Sequence, residues 1–293
     1  MLFRSRLTFL ILGLMLGFVL LLSCVPSPPD VPTTTSPITT STIVISEPPT
    51  SATNTAGLQA NLNDGFLFVD STVVSDGTLK PPAGAVIVFG PNGKLVRSIS
   101  STGAAVDVSS PNVVIHNLKV VGSDPCFWVV ESSPNPLAVG EMYSQYDPRR
   151  EEQAALYVRP GADGLRVDGL FANDVWGDGL TLLGGNNMVF KNVFVRCAGR
   201  SGISNVNSSN VVVDGGSVSG MLLWGLNIEP TGVRSVSGYV VRNFTVGHTT
   251  NQWLFVGGPG FNCKVFGVDV RGVSLLPQAS SEFHVASCVS LLM

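Results

Sequence analysis

The chain has 293 residues, of which 44% are hydrophobic and 13% charged, whereas an ordinary globular domain carries about 25% charged residues. That balance excludes a wholly disordered chain, which needs low hydrophobicity and high charge, and a coiled coil, which needs Glu, Lys and Arg in quantity. With 17 basic and 20 acidic residues the net charge is −3, so no basic surplus exists to neutralise phosphates and no nucleic-acid partner is expected.

At the N-terminus, Arg4 and Arg6 precede an apolar run of 16 residues, Leu7–Leu22, which ends at Ser23 and Cys24. This is the plan of a secretory signal, and the run falls short of the ~20 residues of a comfortable membrane span. The ending Leu21-Leu22-Ser23-Cys24 resembles the bacterial lipobox. The resemblance implies that residues 1–23 are a lipoprotein signal peptide and that Cys24 is lipidated and anchors the protein to a membrane. Residues 24–58 hold seven prolines among many Ser and Thr. Such a stretch cannot bury enough apolar surface to offset its ordering entropy. It reads as a disordered tether that holds a folded domain away from the membrane, at the cell surface.

The remainder repeats. One pattern runs apolar, any, Asn or Gly, apolar, any, apolar, with anchors at Ile115, Val167, Phe190, Val213, Val241 and Val265, in steps of 52, 23, 23, 28 and 24 residues. A second pattern, apolar-any-apolar, has anchors at Val106, Leu156, Leu180, Ile203, Leu226, Leu254 and Phe283, in steps of 50, 24, 23, 23, 28 and 29. Both series lengthen at the same place, so one coil carries an inserted loop at 121–154. Upstream, Val86 and Leu95 each lie 20 residues before Val106 and Ile115, which adds a further coil, about eight in all. Strict alternation over three to five residues is a strand with one buried face. A period near 23 is too short for a βαβ crossover of ~30 residues, but suits a coil of short strands stacked on its neighbours.

Asn117, Gly169, Asn192, Gly215, Asn243 and Gly267 recur at one place in the coil. They are the residue types that tolerate positive φ, as a sharp corner between strands requires, and stacked Asn side chains can hydrogen-bond up the column. Two residues before the anchors, Val113, Leu165, Met188, Val211, Tyr239 and Cys263 form an expected interior ladder. On these residues the chain resembles the right-handed parallel β-helix superfamily of pectate lyases, polygalacturonases, epimerases and phage tailspikes. The expected fold is all-β: a right-handed parallel β-helix over residues 85–293, with residues 59–84 as an N-terminal cap. Among the other cysteines, Cys126, Cys197 and Cys288 lie in or near variable loops; the compartment allows a disulfide, but no spacing demands one.

The variable connections precede the Leu180-type strand and would stack into a groove with that strand's outward residues: Tyr157, Thr181, Ser204, Asn227, Phe255 and His284. Polar and aromatic side chains side by side suit a sugar chain, whose hydroxyls need hydrogen bonds and whose ring faces need aromatic stacking. Tyr157, Asn227 and His284 in that column, with Trp176, Trp224 and Trp253 in the preceding segments, are the candidate substrate-binding residues. Glu152, Asp174, Asp178 and Arg200 fall on adjacent coils beside them and are the candidate catalytic residues. Two carboxylates could act as acid and base on a glycosidic bond. As the lyase branch of the resemblance implies, they could instead hold Ca²⁺, with Arg200 as the base for β-elimination. A plainer role for Asp178 is turn chemistry ahead of Gly179.

The catalytic signatures of the resembled families are missing. The chain has no polygalacturonase-like Asn-Thr-Asp, Asp-Asp, Gly-His-Gly or Arg-Ile-Lys, and no lyase-like Arg-x-Pro-x-x-Arg; Gly247-His248-Thr249 is a faint echo. No zinc-type spacing occurs. The expected function is a lipid-anchored surface protein that binds and cleaves a polysaccharide as a hydrolase or lyase. The alternative is a non-catalytic adhesin, glycan-binding module or phage-derived structural protein.

Overall fold

In a computed structural model of the protein, the structure describes residues 51–97, 101–122, 152–230, 232–249, 251–257, 264–277, 279, 281–285 and 291–293. The signal segment, Cys24, most of the tether and most of the insertion lie outside the described residues. Among the described residues no helix is long and apolar enough to cross a membrane.

The fold is a right-handed parallel β-helix. Every strand pair is parallel and joins one coil to the next, and such crossovers are right-handed for the same steric reason that strands twist. The strands form two sheets. Sheet B has seven three-residue strands, starting at Val106, Leu156, Leu180, Ile203, Leu226, Leu254 and Phe283. These seven anchors stand in register in a single file. Sheet A has 13 strands, the longest being Asn186–Ala198 and Ser209–Met221.

The long strands bend at the expected corner. Asn117, Gly169, Asn192, Gly215, Asn243 and Gly267 all have φ between 52° and 86°. Pairing skips residues 117, 169, 192, 215 and 243, and the inward parity shifts across them, from Met188 and Phe190 to Val193 and Val195. The asparagine amides do not bond to one another there. Asn192 Nδ2 donates to Asp168 Oδ1 at 2.8 Å and Asn243 Nδ2 to Asp214 Oδ1 at 2.8 Å, because the column alternates Asn with Gly and the acceptor comes from the residue before each glycine. Alternation has a steric cause: a Cβ on Gly169 would lie 2.8 Å from Asn117 Oδ1.

The interior is a set of stacked apolar ladders. Ile115, Val167, Phe190, Val213 and Val241 are buried, as are Val113, Leu165, Met188, Val211 and Tyr239. Each fully buried Val, Leu or Phe contributes about 1.5–3 kcal/mol, and stacking covers an inner face that a lone coil would leave wet.

Three expectations need correction. First, the last coil of sheet A is displaced: Val265 pairs with Val236, and Asp269 with Val240, so Val270 lies level with Val241 and Val268, not Cys263, with Tyr239. The step is 29 residues, equal to the sheet B step from Leu254 to Phe283. Gly267 therefore belongs to a second corner column, with Asn112, Gly164, Asn187, Asn210 and Gly238, all at positive φ. Second, Val86 is not in the file of Val106. The strand Val86–Phe89 pairs with Val114–His116 in sheet A, and Leu95 pairs with Val120. Third, the helical ladder starts before residue 85. Phe66–Val69 pairs with Val86–Phe89, and Thr72–Ser75 with Lys94–Arg97. An α-helix, Thr55–Leu62, precedes them and crosses the expected tether–cap boundary at 58/59. Asn54 caps it by accepting from Gly57 N at 3.0 Å, and Leu58 and Leu62, one turn apart, are buried against the first coil.

Candidate functional site

The middle residue of each sheet B strand points away from the core. In order these are Asp107, Tyr157, Thr181, Ser204, Asn227, Phe255 and His284, each directly over the last. The spacing between coils is about 4.8 Å. The sequence predicts an open groove here, and the structure opens only one end of it. Thr181, Ser204 and Asn227 are 2–3% exposed, whereas Phe255 is half-buried and His284 exposed. Neighbouring side chains occupy several hydrogen-bonding groups of the middle, while Asn227 Oδ1 is buried without a partner among the described residues. Thr181 Oγ1 donates to Asp178 Oδ2 at 3.0 Å, and Asn227 Nδ2 donates to Ser204 Oγ and Glu229 Oε2, both at 3.3 Å.

Asp178, Glu152, Arg159 and Arg200 all act electrostatically on the phenol of Tyr157. Burial, and after it the charges of Asp178 and Glu152, raise that phenol to about 12, against the opposing pull of Arg159 and Arg200. Burial of Tyr157 disfavours the phenolate, and the carboxylates repel it. Asp178 is 1% exposed. Its Oδ1 accepts from Ser201 N at 2.9 Å, its Oδ2 from Thr181 Oγ1, and Arg200 Nη1 lies 4.0 Å away. A carboxylate held in this way ties one coil to the next. Glu152 lies exposed at the rim. Asp174 stands apart: it occupies a third corner column with Cys197 and Gly220, at φ 55°, 59° and 82°, accepts from Asn173 Nδ2 at 2.6 Å, and is not among the charges acting on Tyr157. Of the four predicted residues the structure brings Asp178 and Arg200 within 4.0 Å of each other, and the carboxylate is engaged on both oxygens.

The sequence reading missed two members of this region. Asp107 heads the outward column, and its Oδ2 pairs with Arg159 Nε at 2.6 Å. The Arg159 guanidinium lies 4.8 Å from the Tyr157 ring centre. The alternation Val106-Asp107-Val108 carried the signal for Asp107, because it repeats the pattern of the strands above it.

The six predicted binding residues divide by accessibility. Trp253 packs into the core and Trp176 is 8% exposed; Tyr157 and Asn227 are buried in the column. Trp224 and His284 are accessible, and Phe255 joins them. The Trp224 and Phe255 rings lie 4.9 Å apart at 30°, and Phe255 and His284 lie 5.0 Å apart at 16°. Gln252 Oε1 accepts from Trp224 Nε1 at 3.2 Å and fixes the indole. Three coils therefore present one continuous row of stacked rings.

Among the described residues no group of three or more His, Cys, Asp or Glu is placed to hold a metal ion, and the Ca²⁺ ligation that the lyase resemblance implies finds no fitting set there. Cys197 is disulfide-bonded, and the other four cysteines lie outside the described residues.

No protein-family model matches the chain, and no curated protein matches it. Solved structures do. The enzymatically active domain of tailspike protein 2 of bacteriophage CBA120 aligns at 12% identity and TM-score 0.34, over 76% of this chain and 40% of its own. A polygalacturonase from Erwinia carotovora ssp. carotovora aligns at 13% identity and TM-score 0.32, over 85% of this chain and 99% of its own. The chain thus spans about two-fifths of the tailspike domain's length. The assignment of the fold rests on the strand register described above.

Proposed function

We propose that the open end of sheet B binds a polysaccharide, and that the protein is a glycan-binding β-helix displayed on an extracytoplasmic surface through a lipidated Cys24. The observation that carries the reading is the row Trp224–Phe255–His284. The rings pack face against face one coil apart, so they offer a sugar chain a continuous ridge of apolar ring edges, with open faces at the two ends of the row for its C–H groups. Glu229, half-buried and held by Asn227, supplies a hydrogen-bonding group at the edge of the row. Binding fits better than cleavage, because Asp178 has both oxygens engaged and almost no exposure. The disulfide at Cys197 is consistent with an oxidising compartment.

The test is retention of the purified protein in gels containing plant, algal or capsular glycans, together with an assay for released reducing ends and unsaturated sugars. A Trp224→Ala variant is expected to lose roughly tenfold in affinity for the retained glycan, the size of an aromatic anchor, with no product released by either form. Equal retention of the variant, or no retention by any glycan, sinks the binding reading. Product release overturns the preference for binding over cleavage.

A further inference from the structure

A second recess, of about 390 Å³, lies on the outer face of sheet A, away from the aromatic row. That volume is at the lower end of the ~300–1,000 Å³ of ligand pockets. The register stacks Lys119, Phe171, Phe194 and Ser217 on successive coils. The two phenyl rings lie 5.2 Å apart and within 11° of parallel, and remain 38% and 39% exposed. The fall in bulk from Phe194 to Ser217 opens a hollow beside the second ring.

Three cations line the recess: Arg196 stands beside Phe194 at the hollow, whereas Lys119 and Lys94 lie two and three coils away, beyond Phe171. Lys94 stands level with Lys119 on the neighbouring strand. Lys119 Nζ donates to the carbonyls of Gly90 at 3.2 Å and Pro91 at 2.8 Å, which leaves one of its three N–H groups for another acceptor. Arg196 is exposed, on the same face as Phe194. Among the described residues the lining contains no carboxylate. The closest acid in chain order, Asp174, accepts from the lining residue Asn173. A cationic rim around stacked rings is thus concentrated on a chain whose net charge is −3.

The lining also says what the recess does not suit. A neutral sugar would leave the Arg196 charge without a counter-charge, which an anion supplies. We propose that the recess binds a compact organic anion with a flat apolar body, an aryl or short acyl carboxylate. The face of Phe194 that Ser217 leaves open takes the body, and Arg196 beside it takes the charged head, while Lys119 and Lys94 add positive potential from the far end of the recess. This site is independent of the glycan row and stands if that row proves empty.

Naphthalene-2-carboxylate, titrated into the purified protein by calorimetry, is the probe, and naphthalene-2-methanol is its neutral counterpart. The carboxylate is expected to bind about tenfold more tightly, the size of one charge-assisted hydrogen bond. Arg196→Gln narrows that ratio, Lys94→Gln, three coils away, changes it little, and Phe194→Ala weakens both ligands by roughly fivefold. All three side chains are on the surface, and their variants keep parental glycan retention. Equal affinity for the two probes, or parental binding by all variants, overturns the proposal. Capture by phosphatidylglycerol vesicles without naphthoate binding also overturns it, by making the face a bilayer contact.

Discussion

Replacing Asp178 decides whether that carboxylate is a structural tie or a chemical group. In the Ala variant the N–H of Ser201, which is fully buried, loses the acceptor 2.9 Å away, and Thr181 Oγ1 loses its own at 3.0 Å. An orphaned buried donor costs about 1–3 kcal/mol, and a hydrogen bond to a charged group contributes about 1.5–3 kcal/mol. Part of this is offset because a buried carboxylate no longer needs desolvation. The net expectation is a loss of about 3 kcal/mol, or about 6–12 °C in Tm for a domain of this size. Asp178→Asn keeps an oxygen for Ser201, and Thr181 can turn its hydroxyl to accept from the new amide, so it should lose only about half as much. The measurement is the urea and thermal midpoint of both variants beside glycan retention. An unchanged midpoint in the Ala variant refutes the reasoning. So does an Asn variant of parental stability that has lost a glycan-cleaving activity, since that result would make Asp178 catalytic.

Three further predictions come from other parts of the coil. Gly169→Ala places a side chain at φ 86° and 2.8 Å from Asn117 Oδ1; a loss of about 2 kcal/mol is expected by chemical denaturation, whereas Gly77→Ala, whose Cβ would meet Thr55 Cγ2 at 3.5 Å, should change little. Tyr157 is neutral up to about pH 12 when folded but ionises from its ordinary 10.0 when unfolded. Below pH 10 neither state ionises and its contribution is complete; above it the unfolded chain releases its proton first, so stability falls between about pH 10 and 12. Tyr157→Phe should flatten that fall in alkaline denaturation curves. Reducing the disulfide at Cys197 should lower stability by about 2–4 kcal/mol, measured as the midpoint with and without dithiothreitol, and Cys197→Ser should make the midpoint insensitive to reductant.

Sheet B was fully legible in the sequence, because three alternating residues in a single file leave one way to align the coils. Sheet A was legible from Ile115 to Val241; its first coils were misplaced, and the failure at its last coil has a specific cause. The two corner columns run close together along the chain, as the pairs Asn187 and Asn192, Asn210 and Gly215, and Gly238 and Asn243 show, and both select Asn or Gly. A copy containing Gly267 therefore fits either column, and only backbone pairing tells them apart. The site was harder to read. Alternation places Thr181 and Asn227 on the outward face, but whether that face is open depends on side chains from other turns, such as Asp178 over Thr181 and Glu229 beside Asn227. The ring row was half visible, since Phe255 and His284 appear in the outward column, while Trp224 reaches it from a preceding turn. The recess at Phe171 and Phe194 carried no sequence pattern of its own, because exposed phenylalanines are read as ordinary strand residues until stacking brings them face to face.

The long excursion after Gly122 leaves the alignment of the coils on either side of it untouched. Val121 still pairs with Asn173, and Val106 with Leu156. A corner that tolerates so long an extra segment without disturbing its neighbours is a natural grafting point. Foreign loops placed between Gly122 and Glu152 should be carried by the scaffold as cargo, and the same tolerance lets such a protein acquire new surface features one turn at a time while its stacked coils stay constant.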